Sequence, residues 1–314
     1  MTPTWAGDRW CAARSIANPW TVSTRRCWTR ITPTCWLRCW SRRACRGFDR
    51  PSRRPSNAVM PSPAASRLPL PGIDVWRVAT AAFSTAGEDW HRDLLDGEER
   101  WRSARLRRPE DRLRFEGGRA SLQMLLGHYL GSGNGRTEIA ADSLGKLHLV
   151  PAGRMLTFNS SHSGDWILHA FANGVSVGID VEKLDSRIER GLDDYLVALA
   201  PEERVALEQC PPARRSFQFV RCWVRKEAYL KALGNGLQRS PELVSIGAAV
   251  DGRVGLLYDR NAPEAAGPWN FVDLAIDDRH LGCLAYPGPA QPVRLCDEAA
   301  WHGVRGAWAA RSGE

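Results

Sequence analysis

A chain of 314 residues with 43% hydrophobic and 25% charged side chains is large enough for one big or two small cores, and its composition excludes a disordered or fibrous protein. No stretch reaches the apolar length of a bilayer-spanning helix, so the chain reads as soluble. The formal charge of +8 is unevenly spread. Residues 1–60 hold 12 Arg, no Lys and only Asp8 and Asp49 as acids, which leaves 31 basic against 33 acidic residues in the rest. The basic balance thus belongs to an N-terminal extension and says little about what the globular part binds.

That extension also carries six of the 14 Trp and five of the nine Cys. It has no apolar core of a secretory signal, and it is too rich in Trp and Cys for a transit peptide. Cys35, Cys39 and Cys45 form no CxxC pair and no His precedes His91, so they are read as part of a tail and not as a zinc site. We prefer a translation start further on, at Met60 for example, which would leave residues 1–59 outside the natural protein. Residues 1–72 are therefore assigned to a disordered Arg/Trp/Cys/Pro-rich extension and linker, closed by the extended stretch PSRRPSNAVMPSPAASRLPLPG. Cys210, Cys222, Cys283 and Cys296 are scattered without disulfide or metal spacing, which suits a reducing compartment.

Folded structure is expected from IDVWRVA, an alternating strand at residues 73–79. A helical stretch follows over 89–130, with apolar residues at helical spacing in LLDGEERWRSARL and SLQMLLGHYL, and Gly131, Gly133 and Gly135 stop it. LHLV, MLTFNSS, WILHAFA and VSVGIDVE read as strands. LDDYLVALAPEERVALEQC and SFQFVRCWVRKEAYLKALG read as helices, the second ended by Gly234. LVSIGAAV, VGLLYD, WNFVDLAI and LGCLAYP are strands again. The order strand, helices, strands thus occurs twice. The pattern predicts an α+β protein of two similar pseudo-symmetric lobes, 73–174 and 175–290, followed by a tail, 291–314. A cleft between the lobes is the natural place for a ligand.

Three segments carry candidate chemistry. In VSVGIDVE, Asp180 and Glu182 stand two apart on a strand and so share a face. Two adjacent carboxylates repel, and a hard divalent cation such as Mg2+ relieves this. The other possibility is a strand end emerging into solvent. In WVRKEAYLKALG, Glu227 and Lys231 share a helix face with Trp223 one turn before, as an exposed ion pair would also do. Lysine usage favours a function: the four lysines are Lys146, Lys183, Lys226 and Lys231, so where one stands a compact ammonium is wanted, as at phosphate sites. FNSSHSGDW lacks the GxSxG elbow of a serine nucleophile. It suits a phosphate-holding Ser/His turn, with an ordinary hydroxyl turn as the alternative.

Together these segments resemble the 4'-phosphopantetheinyl transferase superfamily, of the longer two-lobed type that activates peptide and polyketide synthases. The resemblance covers roughly residues 73–290. It rests on GKL (145–147) where the family has GKP, FNSSHS (158–163), VGIDVE (177–182) and WVRKEAYLKALGNGL (223–237). It implies transfer of the phosphopantetheine arm of coenzyme A to a serine of a fatty-acid, polyketide or peptide carrier protein, with release of adenosine 3',5'-bisphosphate. It also implies that Asp180, Glu182 and Glu227 hold Mg2+ on the pyrophosphate and that Glu227 is a candidate to receive the serine proton. Lys231 would sit on the phosphates, and Lys146, Ser161, His162, Arg119 and Lys226 would contact coenzyme A. Gln123 in LQMLL stands where the family often has an Arg directed at the 3'-phosphate, a role that Arg119, Arg112 or Arg114 would then take. A cytoplasmic monomer without membrane or nucleic-acid partner is expected. The rivals are another Mg2+-dependent phosphoryl-transfer enzyme and a nucleic-acid binder acting through the basic extension.

Overall fold

In the computed structural model the described residues are 70–84, 90–132, 135–143, 145–151, 155–234, 240–248, 253–263 and 267–312. The expectations for the extension, for Cys35, Cys39 and Cys45, and for a start at Met60 fall outside them.

Strand periodicity sets the first layer. In β1 (Ile73–Ala79), Ile73 and Val75 point to one face while Trp76 and Val78 point to the other, and both faces are covered. β1 pairs antiparallel with β5 (Trp166–Asn173), which pairs with β4 (Leu156–Ser163), and it runs parallel to β11 (Val293–Cys296). A second sheet orders β6 (Gly178–Lys183), β10 (His280–Pro287) and β9 (Trp269–Asp277), all antiparallel. Two hairpins complete the strands: β2 (Ile139–Ala141) with β3 (Leu147–Leu149), and β7 (Val244–Ala248) with β8 (Val254–Asp259). Helices and sheets are mixed, as an α+β protein requires.

The helical stretch expected over 89–130 is broken into α1 (Trp90–Asp93), α2 (Gly97–Ala104) and α3 (Pro109–Leu130). Asp96 causes one break by capping α2: its Oδ1 accepts from Glu99 N at 2.7 Å, and Glu99 Oε2 accepts from Asp96 N at 3.0 Å. Pro109 causes the other, because it is suited to a first turn and not to a helix interior. Pro201 likewise ends the run after the short α4 (Ser186–Arg190) and α5 (Leu192–Tyr195) and opens α6 (Pro201–Gln209). α7 (Pro212–Leu233) then runs unbroken to Gly234.

The stretch 291–314 was expected to be a tail, and its described part, 291–312, is structured. It forms β11 and α8 (Glu298–Ser312), and Trp301 and Val304 enter the core made by Trp76, Leu125, Tyr129 and Phe171. Arg294 adds a two-point contact to Asp74, at 2.8 and 2.5 Å. A four-residue strand and an Ala/Gly-rich helix have weak periodicity of their own, so packing decides them. A second core lies under α7 around Phe219, Tyr229 and Ile246. A third joins the two sheets through Val75, Leu168, Ile179, Val181 and Leu284.

Candidate active site

β4 and β6 are the edges of different sheets, and side chains stitch them together. Every second residue of β4 reaches across. Asn159 Oδ1 accepts from Ile179 N at 2.9 Å, Ser161 Oγ donates to Asp180 Oδ1 at 2.8 Å, and Ser163 Oγ donates to Glu182 Oε2 at 2.9 Å. α7 closes on β6 from the other side. Gly178 makes this possible, since a Cβ there would stand 2.0 Å from Ala228 O and 2.3 Å from Ala232 N. The contact brings the Glu227 and Lys231 face of the helix to the strand. Lys231 Nζ donates to Asp180 Oδ1 at 2.6 Å and to Ser161 Oγ at 3.0 Å.

Three carboxyl groups therefore share one ammonium in a dehydrated place. Burial raises Asp180, against the opposing pull of Lys231. Burial, then the Asp180 charge, pushes Glu182 up to about 8. Burial, opposed by Lys231 and reinforced by Asp180, pushes Glu227 up to about 7. Burial works against the charge of Lys231, but Asp180 and Glu227 outweigh it and raise its pKa. Asp180 Oδ2 and Glu227 Oε1 are buried with no hydrogen-bond partner among the described residues. This surplus of hard oxygen donors fits a divalent cation such as Mg2+. No three acidic, His or Cys side chains of the described residues already converge as a finished metal cage. Lys231 holds one arm of Asp180 instead.

The other expected site residues divide. Ser161 joins the carboxylate cluster. His162, the next residue of the strand, points away from it and is exposed toward α3, where a Cβ on Gly118 would lie 3.9 Å from its Cδ2. Lys146 Nζ caps the end of α7, donating to Ala232 O at 2.8 Å and to Ser176 Oγ at 3.2 Å, and burial lowers its pKa to about 8. Arg119 Nε lies 3.5 Å from Glu99 Oε1, with its guanidinium 5.6 Å from the Phe115 ring centre. Arg112 donates to Leu106 O at 3.2 Å, and Arg114 to Gly164 O at 3.1 Å.

One expectation is corrected, and the place of Gln123 is explained. Lys226 is fully enclosed on another side of α7, 2.5 Å from Glu203 Oε2 and bonded to the carbonyls of Pro241 and Val244, so it offers nothing to coenzyme A. Adjacent helical residues lie about 100° apart, which turns Lys226 inward when Glu227 faces the site. Gln123 is buried and clamps the Thr137 backbone at both ends, 3.0 Å to its carbonyl and 2.9 Å from its N–H. It cannot also hold a phosphate. Sequence reasoning missed Gly178, Asn159 and Ser163. The two-residue spacing shared by Ser161 and Ser163 with Asp180 and Glu182 was the available signal.

The far face of β4 rests on a buried histidine. Ser160 Oγ lies 2.7 Å from His169 Nδ1 and Ser121 Oγ lies 2.8 Å from Nε2, while Ser121 donates to Gly117 O at 2.6 Å. Ser121 has one proton, so Nε2–H donates to it and Nδ1 accepts from Ser160. Burial, with lesser help from His162 and Arg119, lowers the His169 pKa to about 3. An unfolded His takes a proton below about 6.5 whereas this one stays neutral, so the fold loses stability as the pH falls through that value. Between about pH 7.5 and 5 the loss is about 2 kcal/mol. Thermal melts of the wild type should fall over that range more steeply than those of His169→Gln by several degrees. Parallel curves would refute the buried neutral imidazole.

A model of the 4'-phosphopantetheinyl transferase superfamily matches residues 176–284, which include β6, α7 and the carboxylate cluster. The chain is 30% identical over 234 residues to the 4'-phosphopantetheinyl transferase HetI of a Nostoc species, covering 73% of this chain and 93% of that protein. It is 30% identical over 173 residues to the putative 4'-phosphopantetheinyl transferase slr0495 of a Synechocystis species, covering 54% and 67%. A phosphopantetheinyl transferase of a Thraustochytrium species is 25% identical over 256 residues, covering 76% and 86%. The match to HetI extends well beyond the carboxylate strand and its facing helix, and with it the chain is placed as an enzyme belonging to the 4'-phosphopantetheinyl transferase superfamily.

Proposed function

We propose that this chain transfers the 4'-phosphopantetheine moiety of coenzyme A to a serine of an acyl or peptidyl carrier protein, with Asp180, Glu182 and Glu227 holding Mg2+ and Glu227 and Lys231 at the reacting atoms. The observation that carries the site assignment is the buried carboxylate cluster with two unpaired oxygens beside one ammonium. When bound, Mg2+ would neutralise charge on the pyrophosphate. The protein's own residues do the rest by positioning and charge compensation, which is most of what phosphoryl transfer requires. The carrier serine oxygen forms a bond to the phosphorus that bears the pantetheine arm, and the bond from that phosphorus to adenosine 3',5'-bisphosphate breaks. Glu227, beside Asp180 and on the helix face that meets the carboxylate strand, is the candidate to take the serine proton. Lys231 is the cation at hand for the phosphate oxygens. Lys146, Ser161, His162 and Arg119 remain candidates for contacts to coenzyme A.

The two-lobed division at residues 73–174 and 175–290 belongs to the same proposal. α3 and α7 are both 22 residues long, both start with Pro, and both end on a left-handed glycine, Gly131 and Gly234, which supports an internal repeat. We take the enzyme to be a cytoplasmic monomer. Among the described residues no helix is long and apolar enough to cross a membrane.

The test is to incubate the full chain with coenzyme A, Mg2+ and a panel of apo carriers from fatty-acid, polyketide and peptide synthesis. A carrier should gain the mass of the phosphopantetheine arm, adenosine 3',5'-bisphosphate should appear, and chelation should stop both. A folded enzyme that modifies no carrier of the panel would overturn the proposal.

A further inference from the structure

We infer that Ser163 is a positioning residue that fixes Glu182 for the divalent cation, as Ser161 fixes Asp180. The inference rests on the metal role proposed above for Glu182. β4 and β6 present serines and carboxylates at matching two-residue spacing, so Ser161 faces Asp180 and Ser163 faces Glu182. In each pair a nitrogen donor occupies the serine oxygen. The Lys231 ammonium donates to Ser161 at 3.0 Å and the Lys183 backbone N–H donates to Ser163 at 3.1 Å. A hydroxyl has a single proton, so each serine is left with its proton directed at the carboxylate.

The two carboxylates differ in what else holds them. Asp180 is also gripped by Lys231, whereas among the described residues Ser163 is the one hydrogen-bond partner of the Glu182 carboxylate. The serine itself has little freedom to move. It precedes the turn at Gly164, whose φ is +54° and where a Cβ would meet His280 Nε2 at 2.4 Å and Lys183 Cδ at 2.6 Å. Lys183 Nζ holds Asp165 of the same turn at 2.9 Å. The turn is thus packed against β6 and β10 and tied to Lys183, which keeps Ser163 beside Glu182. Without the hydroxyl, Glu182 has no fixed direction, and the cation must order it on binding.

The experiment titrates Mg2+ into the full-length Ser163→Ala, Ser163→Thr and Glu182→Gln variants, reading carrier mass gain, coenzyme A binding by calorimetry, and melting temperature in chelator. Ser163→Ala should raise the Mg2+ concentration for half-maximal coenzyme A binding and transfer by about tenfold, the lower end of what losing the partner of a metal ligand does. Ser163→Thr keeps the hydroxyl and should stay close to the wild-type midpoint. A Ser163→Ala midpoint equal to the wild type overturns the inference, whatever happens to its melting temperature. If Glu182→Gln shifts the midpoint while Ser163→Ala does not, only the positioning role fails. If Glu182→Gln also leaves it unchanged, the metal role of Glu182 fails with it. Should Ser163→Ala not fold, Ser163→Cys keeps the size with a poor donor and carries the same expectation.

Discussion

Asp180→Asn is expected to slow carrier transfer on the order of a hundredfold or more while leaving the melting temperature unchanged or slightly raised. Asn keeps the size of the side chain, and its carbonyl can still accept from Lys231 and Ser161, which now bond Asp180 Oδ1. Burial already disfavours the charge on Asp180, and Glu227 and Glu182 remain to balance Lys231, so the fold is expected to stay intact. What is lost is one of three carboxylates available to a cation, so the Mg2+ needed for half-maximal transfer should rise. Glu227→Gln should act the same way from the helix side. The double variant should lose far less than the product of the two single effects, because both changes remove one shared ion. Steady-state rates across a Mg2+ series measure this directly. Well-folded variants with unchanged rate and unchanged Mg2+ midpoint would remove the cluster from catalysis.

Gly178→Ala is expected to damage both the fold and the rate severely. The new Cβ would stand 2.0 Å from Ala228 O, 2.3 Å from Ala232 N and 3.0 Å from Ala232 Cα, all backbone atoms of α7. Backbone cannot rotate out of the way as a side-chain tip can, so the helix or the strand must shift as a unit. Overpacking of this kind costs about 1–3 kcal/mol, occasionally more. A shift on the order of 1 Å between Asp180 and Glu227 would cost about a hundredfold in rate as well. Gly303→Ala is the control, since nothing lies within 4 Å of a Cβ there and Ala is the better helix former. Circular-dichroism melts and transfer rates of the two variants should diverge sharply. Equal behaviour would mean that the strand and helix have more room than the structure shows.

The parts of the fold that were legible in the sequence are those with strong internal periodicity. β1, β4, β5, β6 and α7 alternate or repeat clearly, and from them came the shared face of Asp180 and Glu182 and the shared face of Glu227 and Lys231. Helix breaks at Asp96, Pro109 and Pro201 were visible as residues but were outweighed by the apolar pattern running across them. β11 and α8 had too little pattern, because Arg294 and Trp301 matter through partners far away in the chain. Scarcity of lysine was an ambiguous clue. It drew notice to Lys231, yet Lys226 serves a buried ion pair with Glu203 and Lys183 a surface pair with Asp165. Gln123 shows the limit of reading a position by its usual occupant, since its amide is committed to the Thr137 backbone.

The parallel pairing of β1 with β11 also bears on how the molecule is made. Asp74 must wait for Arg294, 220 residues later, before its side of the first sheet is closed. At about 5–20 residues per second the ribosome takes on the order of tens of seconds to deliver that partner. Throughout that interval β1 has one open edge, and the pocket that Trp301 will fill in the first core stands incomplete. The first sheet and its core therefore cannot reach their native form while the chain is still short of β11 and α8. Their completion falls to β11 and α8, so the first core closes only after the strands and helices that precede them in the chain have been made.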